Sequence, residues 1–342
     1  MGKISILVTG IGGGSHGEQV VKSLRFAKDI NLEIIGTDVN SLTTGKKLVD
    51  KFFNVPLVTD KTYEKIIFDI IEKNNIQFIF HGSEPELRFI SNNREKFETK
   101  GIKHSLNSKE VINLCMNKYK TYVELEKLGI SLPKFKKINS LKDIDDIDFY
   151  PLVIKPSTGS GGSANISIAL DKYDCELLVK LKLKYNIDII AQQYVGSHLN
   201  EYTIGVSSNK FGEVLGSIIL KRFITNTLST SQKLTFNDND YVISSGISQG
   251  YVCHNENLQK QAEKIAKLLK STGPLNIQAR EVNGKLLVFE INPRLSGTTS
   301  LRALAGYNEP YAMIKDQILG EIWNISYNDQ VILRTIDEIK ID

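Results

Sequence analysis

Apolar and polar positions in the first hundred residues switch repeatedly between two periods. KISILVTG is a short apolar run closed by Gly10, the pattern of a buried strand. GEQVVKSLRFAK then places Val20, Val21, Leu24 and Ala27 on one helical face. LEIIGTD reads as a second strand and IQFIFHG as a third, with a helix between them through Ile66, Ile67, Ile70 and Ile71. This βαβαβ rhythm predicts a parallel sheet covered by helices, ending near residues 105–115.

Beyond that point the pattern changes. NKYKTYVELEKLGISLP reads as a helix stopped by Gly129 and Pro133. YPLVIKPSTGSGGSANISIAL gives two strands around a Gly/Ser-rich turn. DIIAQQYVG, EYTIGVSSN, EVLGSIILKRF, LNIQAREV and KLLVFEIN are further strands, many joined as hairpins. One late helix carries Leu258, Ala262, Ile265 and Leu269 in register, and EPYAMIKDQILG forms another. Residues 224–240 (ITNTLSTSQKLTFNDND) are polar and patternless, and are expected to form a mobile loop. An α/β front half therefore precedes an α+β back half.

Composition narrows the class without naming a function. The 342 residues suffice for two or three structural units, and 41% hydrophobic with 24% charged residues is a soluble, globular balance. The net charge of +4 suits an anionic small-molecule substrate and makes no case for nucleic acid. Cys115, Cys175 and Cys253 form no CxxC pair and read as reduced, buried thiols. No apolar stretch is long enough to cross a membrane, and the first one is too short for a secretion signal, so a cytoplasmic protein is expected. His16, His81, His104, His198 and His254 show no metal-ligand spacing and are read as surface or loop residues.

Three stretches carry candidate chemistry. In VIKPSTGSGGS, Lys155 ends an apolar strand and precedes Gly159, Gly161 and Gly162, whose backbone N–H groups can face phosphate oxygens. No GK[ST] follows, so this is not a Walker A loop. In LNIQAREVNGKLLVFEINPR, Glu290 and Asn292 share a strand face by alternation. A two-residue Asn-Gly turn pairs Gln278 with Phe289 and sends Gln278 to the opposite face. A three-residue turn, Val282 to Gly284, brings Gln278 onto the face of Glu290 and Asn292. The sequence permits both. Only the second makes an oxygen cluster suited to Mg²⁺, with Arg294 beyond it placed for a phosphoryl oxygen. A Glu290–Arg294 ion pair is the simpler structural reading. Third, TGIGGGSHG satisfies GxGxxG through Gly12, Gly14 and Gly17, with Asp38 ending the next strand, which keeps an NAD(P)-binding oxidoreductase as an alternative.

Taken in order, VIKPSTGSGGS, AQQYV, LNIQAR and FEINPRLSGTTSLRALAG resemble the ATP-grasp superfamily, in the branch of the carbamoyl-phosphate synthase large subunit. The resemblance covers nearly the whole chain. It implies a Rossmann-like pre-ATP-grasp domain (residues 1–112), a small lobe (113–190), a large lobe (191–325) and a C-terminal tail (326–342). It further implies ATP and one or two Mg²⁺ (or Mn²⁺) ions as cofactors. Gln278, Glu290 and Asn292 would hold metal, and Arg294 would contact the transferred phosphoryl group. Lys118 and Lys155 would hold the α- and β-phosphates, with Ser157, Gly159, Ser160, Gly161, Gly162 and Ser163 around them. Gln192, Gln193 and Val195 would line the adenine hinge, and Glu201 would bind ribose. Glu84, Arg222, Ser296 and Gly297, with Arg294, are substrate-side candidates.

Two departures matter: Asn117 precedes Lys118 where many relatives have aspartate, and the chain holds one such unit. The expected activity is therefore an ATP-dependent carboxylate–amine ligase acting on small molecules. A kinase stopping at an acyl or carbamoyl phosphate and a degenerate nucleotide-binding module are the other readings. A homodimer through the front domain is a further expectation, and no nucleic-acid or membrane partner is expected.

Overall fold

The computed structural model describes residues 2–159 and 165–340. Its front unit is a five-stranded parallel sheet of β1 (Ile4–Val8), β2 (Leu32–Asp38), β3 (Lys51–Asn54), β4 (Phe78–Phe80) and β5 (Lys103–His104), in the order β3-β2-β1-β4-β5. Helices α1 (His16–Arg25), α2 (Tyr63–Lys73), α3 (Glu84–Asn92) and α4 (Arg94–Thr99) cover it. Alternation divides the strands between two cores. Ile6 and Val8 pack with Val20 and Leu24 of α1, while Leu7 packs with Ile67 and Ile71 of α2. Strand order reverses between β1 and β4, so a crevice opens at their C-terminal ends. β3, β5, α3 and α4 are additions to the elements expected from the sequence.

Helices α5 (Lys109–Cys115) and α6 (Lys118–Lys127) lead into the small lobe. Asn117 caps α6 through Lys120 N–H, and Gly129, at φ +69°, ends it in the left-handed region. The lobe's antiparallel sheet contains β6 (Phe135–Ile138), β7 (Leu152–Pro156), β8 (Ser167–Ala169) and β9 (Ile189–Gln193), in the order β6-β9-β7-β8. Leu152, Ile154, Ile189 and Ala191 pack on Cys175 and Val179 of α7 (Lys172–Lys184). Val153, Lys155 and Gln192 face the other way, into a cavity. The expected lobe boundary at residue 190 falls inside β9, because hydrogen bonding to β6 and β7 continues to Gln193.

The large lobe is built on β10 (Glu201–Ser208) and β11 (Val214–Arg222), followed by β12 (Thr230–Phe236), β13 (Asn239–Ser244) and β14 (Gly250–Cys253). After α8 (Glu256–Leu268) come β15 (Pro274–Val282), β16 (Lys285–Asn292), α9 (Thr299–Leu304), α10 (Glu309–Ile314) and β17 (Gln330–Ile332). Six strands make an antiparallel sheet, β16-β15-β10-β11-β14-β17. One face, with Ile204, Val206, Ile277 and Ala279, buries Leu258, Ala262 and Ile265 of α8. The other face carries Glu201, Thr203, Asn276, Gln278 and Arg280.

Two expectations are corrected here. The segment read as a mobile loop, 224–240, contributes β12 and the start of β13, a two-stranded ribbon turned by Asn237 (φ 48°) and Asp238 (φ 59°). Its strand face is too polar to show a hydrophobic period, so backbone pairing alone defines it. Part of the segment read as a tail, 326–342, supplies β17 at the sheet edge against β14. Among the described residues no helix is long and apolar enough to cross a membrane, and the three cysteines are free and buried.

Candidate active site

The site begins with the β15–β16 hairpin, whose turn follows the two-residue reading but whose register departs from it further along. Asn283 (φ 51°) and Gly284 (φ 76°) form a two-residue turn, and Val282 pairs with Lys285. The register holds as far as Ala279 opposite Val288 and then shifts, so that Gln278 faces Glu290 and Asn276 faces Asn292. Phe289 is the extra residue of a β-bulge. The bulge does what a longer turn was expected to do: it puts Gln278, Glu290 and Asn292 on one face.

Lys118 and Lys155 approach this face from the other lobe. Lys118 Nζ pairs with Glu290 Oε1 at 3.1 Å, so Glu290 is bound to Lys118 and not to Arg294. Lys155, 4% exposed, donates to Gln192 Oε1 (2.8 Å) and to the Phe289 carbonyl (2.9 Å), and lies over the rings of Tyr122 and Phe289. Burial, helped by the nearby Lys118 charge and opposed by Glu290, pushes the Lys155 ammonium down to about 7. Burial acts on Glu290 in the opposite sense, yet Lys118 and Lys155 outweigh it and hold the carboxyl below its ordinary value.

Between the two sheets lies an open cavity, about 620 Å³ counting the space that opens to solvent. Lys118, Lys155, Gln192, Gln193, Val195, Glu201, Gln278 and Glu290 all line it, and Val242, Ile243 and Ser244 of β13 close one side. Glu201 is clamped there: its carboxylate accepts from Arg222 Nη1 (3.0 Å) and from Arg280 Nε and Nη2 (both 3.1 Å). Arg280 also stacks on the Tyr194 ring at 4.3 Å. Ser157 is buried against Asn117 and lines none of the three cavities described in this subsection. Ser160, Gly161, Gly162 and Ser163 lie outside the described residues.

A second cavity joins Gly159, Lys118, Glu290, Asn292 and Arg294 to Glu84. A third, also open to solvent, carries Gln278, Glu290, Asn292, Arg294, Ser296 and Gly297 to Glu84, Arg222 and His16, where the front-sheet crevice opens. Arg294 is 8% exposed; Nη1 donates to the Leu295 carbonyl, and Nε has no partner among the described residues. A buried guanidinium with an unspent donor beside a cavity is suited to an anionic group.

Three oxygen-bearing side chains, one of them a carboxylate, are the donor chemistry of a hard divalent cation. Among the described residues no cluster of three His, Cys, Asp or Glu offers a softer site. The residues present therefore fit Mg²⁺.

The N-terminal glycine turn is occupied by its own neighbours. Gly12 N–H donates to Asp38 Oδ2 (2.6 Å), Gly14 N–H donates to Glu18, and Ser15 caps α1. A Cβ at Gly17 would lie 2.5 Å from the Thr9 and Gly10 carbonyl oxygens, so that glycine serves close packing. The acid that a dinucleotide ribose requires is already holding the turn.

Sequence reasoning missed several residues of the site. His16, read as surface or loop, lines the third cavity; His81, read the same way, lines none of the three but is 7% exposed, with Nδ1 unpartnered among the described residues, and burial first, then Arg294, pushes it down to about 3. Its signal was its place at the end of an apolar strand. Arg280, two residues after Gln278 on the same strand, was recoverable by alternation. Tyr122 and the ribbon residues Val242 to Ser244 left no local signal.

Comparison with known proteins bears on the family and the fold. A family profile described as PylC-like, N-terminal domain, matches residues 6–105, and one described as ATP-grasp in the biosynthetic pathway with Ter operon matches residues 243–337. An uncharacterized protein of Methanocaldococcus jannaschii is 30% identical over 220 residues, covering 63% of this chain and 50% of that one. The carbamoyl phosphate synthase large chain of Buchnera aphidicola is 24% identical over 270 residues, covering 78% of this chain and 23% of its own. The chain thus spans about half the length of the first relative and about a quarter of the second. The crystal structure of an L-amino acid ligase from Bacillus licheniformis matches with a TM-score of 0.65 at 15% identity, over 92% of this chain and 74% of that one, a likeness of fold.

Proposed function

The chain belongs to the ATP-grasp family, and on that premise we propose that it is an ATP- and Mg²⁺-dependent ligase joining a carboxylate to an amine. The observation that carries this reading is the convergence of Gln278 and Glu290 with Lys118 and Lys155 around one inter-sheet cavity, with Asn292 on the same strand face beside Glu290. A carboxylate is a poor acyl donor because its oxygen leaves badly. Attack of the carboxylate oxygen on the γ-phosphorus of ATP releases ADP and gives an acyl phosphate. The amine nitrogen then attacks the carbonyl carbon, phosphate departs, and the nitrogen loses its proton.

Phosphoryl transfer depends mainly on positioning and charge neutralisation. Gln278, Glu290 and Asn292 would hold Mg²⁺, which would supply positive charge to the phosphate oxygens. Lys155 and Lys118 hold the phosphate chain, and Arg294 takes the transferred group or the carboxylate. Gln193, Tyr194 and Val195 line the adenine end of the cavity. Glu84, a carboxylate on the front-domain side of the second and third cavities, suits the ammonium of the incoming amine.

The test is ADP and phosphate release from MgATP across a panel of small carboxylic acids crossed with amines. One acid–amine pair is expected to stimulate release and give a stoichiometric condensation product, with Glu290→Ala silent. ADP release that needs the acid but ignores the amine would leave an acyl-phosphate kinase instead. Stabilisation of the protein by NADH and not by MgATP would remove the reading.

A further inference from the structure

His16 is the first residue of α1, directly after its cap Ser15, and it lines the third cavity together with Glu84 and Arg294. Its ring is hydrogen-bonded to the Gly82 main chain in the sense that favours the protonated ring, so one ring nitrogen donates to that carbonyl. The other ring nitrogen then keeps its lone pair. Gly82 lies two residues before Glu84, the start of α3, so the ring and this carboxylate belong to one wall of the cavity. Gly297 leaves room in front of them. A Cβ there would lie 3.9 Å from His16 Cδ2 and 3.7 Å from the Gly246 carbonyl oxygen, and any longer side chain would fill the space. His81, the other histidine nearby, lines none of the three cavities.

The charges around the ring set its protonation state. Arg294 approaches from the end of β16, His81 from the end of β4 and Glu84 from the start of α3. Arg334 lies behind the Gly297 wall, donating to the Gly297 carbonyl (2.6 Å) and to Gln19 Oε1 of α1 (3.0 Å). Glu18 of α1 itself is held by Lys22 at 2.6 Å. Burial first, then Arg294 and His81, hold the ring well below the ordinary imidazole value, against the pull of Gly82, so it is uncharged at neutral pH. The positive end of α1 acts in the same direction. Once Arg294 takes an anionic group its field on the ring is offset, and the ring's affinity for a proton rises.

We propose that His16 is the general base of amide formation, taking a proton from the incoming ammonium while Glu84 holds it. The assignment rests on the ligase reading above. An ammonium has no lone pair with which to attack. When one N–H bond breaks, its electron pair stays on nitrogen and the proton passes to the free ring nitrogen of His16. The amine then attacks the acyl carbon, and the carbon–oxygen bond to phosphate breaks with its electron pair going to phosphate. The departing phosphate takes the second proton from nitrogen, and His16 returns the first to water.

Hydroxylamine tests it, because it is largely uncharged at neutral pH and needs no base, whereas ammonia is almost wholly ammonium. The full chain with MgATP and a panel of the protein amino acids as carboxylates is offered hydroxylamine or ammonium chloride, and hydroxamate and amide are measured. His16→Asn is expected to lower the ratio of amide to hydroxamate by about 10²–10⁴-fold, the usual contribution of a general base. Added imidazole is expected to restore part of the amide. Hydroxamate formed by the variant reports that it is folded, and His16→Gln is a second variant should asparagine disturb the start of α1. A ratio unchanged in both variants overturns the assignment and leaves the ligase standing. No product from any acid with either amine removes the ligase reading, and this assignment with it.

Discussion

Lys155 Nζ donates to the main-chain carbonyl of Phe289 at 2.9 Å, and Phe289 is the extra residue of the β-bulge. The Tyr122 hydroxyl donates to the same carbonyl. A bulge leaves backbone groups outside the ladder. Here that carbonyl is taken by a lysine of the small lobe and a tyrosine of α6. The irregularity that brings Glu290 opposite Gln278 is thus also what ties the two lobes together.

If Lys155 holds the nucleotide's phosphates as proposed, binding is expected to depend on pH. With the free protein's ammonium pushed down to about 7, the folded chain has lost this proton at pH 8.5, whereas bound phosphates favour the charged form. MgADP binding is expected to take up close to one proton at pH 8.5 and almost none at pH 6. Calorimetry in buffers of different ionisation enthalpy measures this, and Lys155→Met should abolish the uptake. Stability of the free protein should rise between pH about 7 and about 10.4, because over that range the unfolded chain holds a proton the folded one does not.

Glu290 offsets the charges of Lys118 and Lys155 before any ligand arrives. Glu290→Gln is expected to lower the stability of the free protein by about 1–3 kcal/mol, the cost of leaving a buried charged partner unmatched. It should also abolish the extra thermal stabilisation that Mg²⁺ adds to ATP. Urea titrations with and without MgATP separate the two effects.

Glu201 lies between Arg222 and Arg280, each less than a tenth exposed. Removing the shared carboxylate strands two guanidinium groups. Glu201→Ala should cost roughly 3–5 kcal/mol, as for other broken buried pairs, measured by chemical denaturation. An unchanged midpoint would show that the clamp contributes nothing to stability.

His81 acts on stability at acidic pH. Its folded value of about 3 lies below the ordinary imidazole value of about 6.5, so the unfolded chain binds more protons between the two. Stability should fall as pH drops from about 6.5 toward 3. His81→Asn should flatten that part of the profile in denaturation curves taken at successive pH values.

Much of this architecture was legible locally. Periods of two and 3.6 residues placed β1, α1, β2, α2 and β4, and the apolar runs placed the hairpin strands, because burial on one face imposes those spacings on any sequence. The β12–β13 ribbon and β17 were not legible. Strands that are polar or at a sheet edge are stabilised by backbone pairing, which leaves little mark on side-chain pattern. His81 was misjudged although it directly follows the apolar run of β4, which carries it into the interior.

The chain alone determined which residue types could converge: two lysines, a glutamine, a glutamate, an asparagine and an arginine, each at the end of an apolar run. Whether they converge was decided in three dimensions. An Asn-Gly turn by itself sends Gln278 to the wrong side of the sheet, and the bulge at Phe289 reverses that. Pairing register depends on contacts from β10 and α6 as well as on the turn, and those contacts exist only once the lobes have packed.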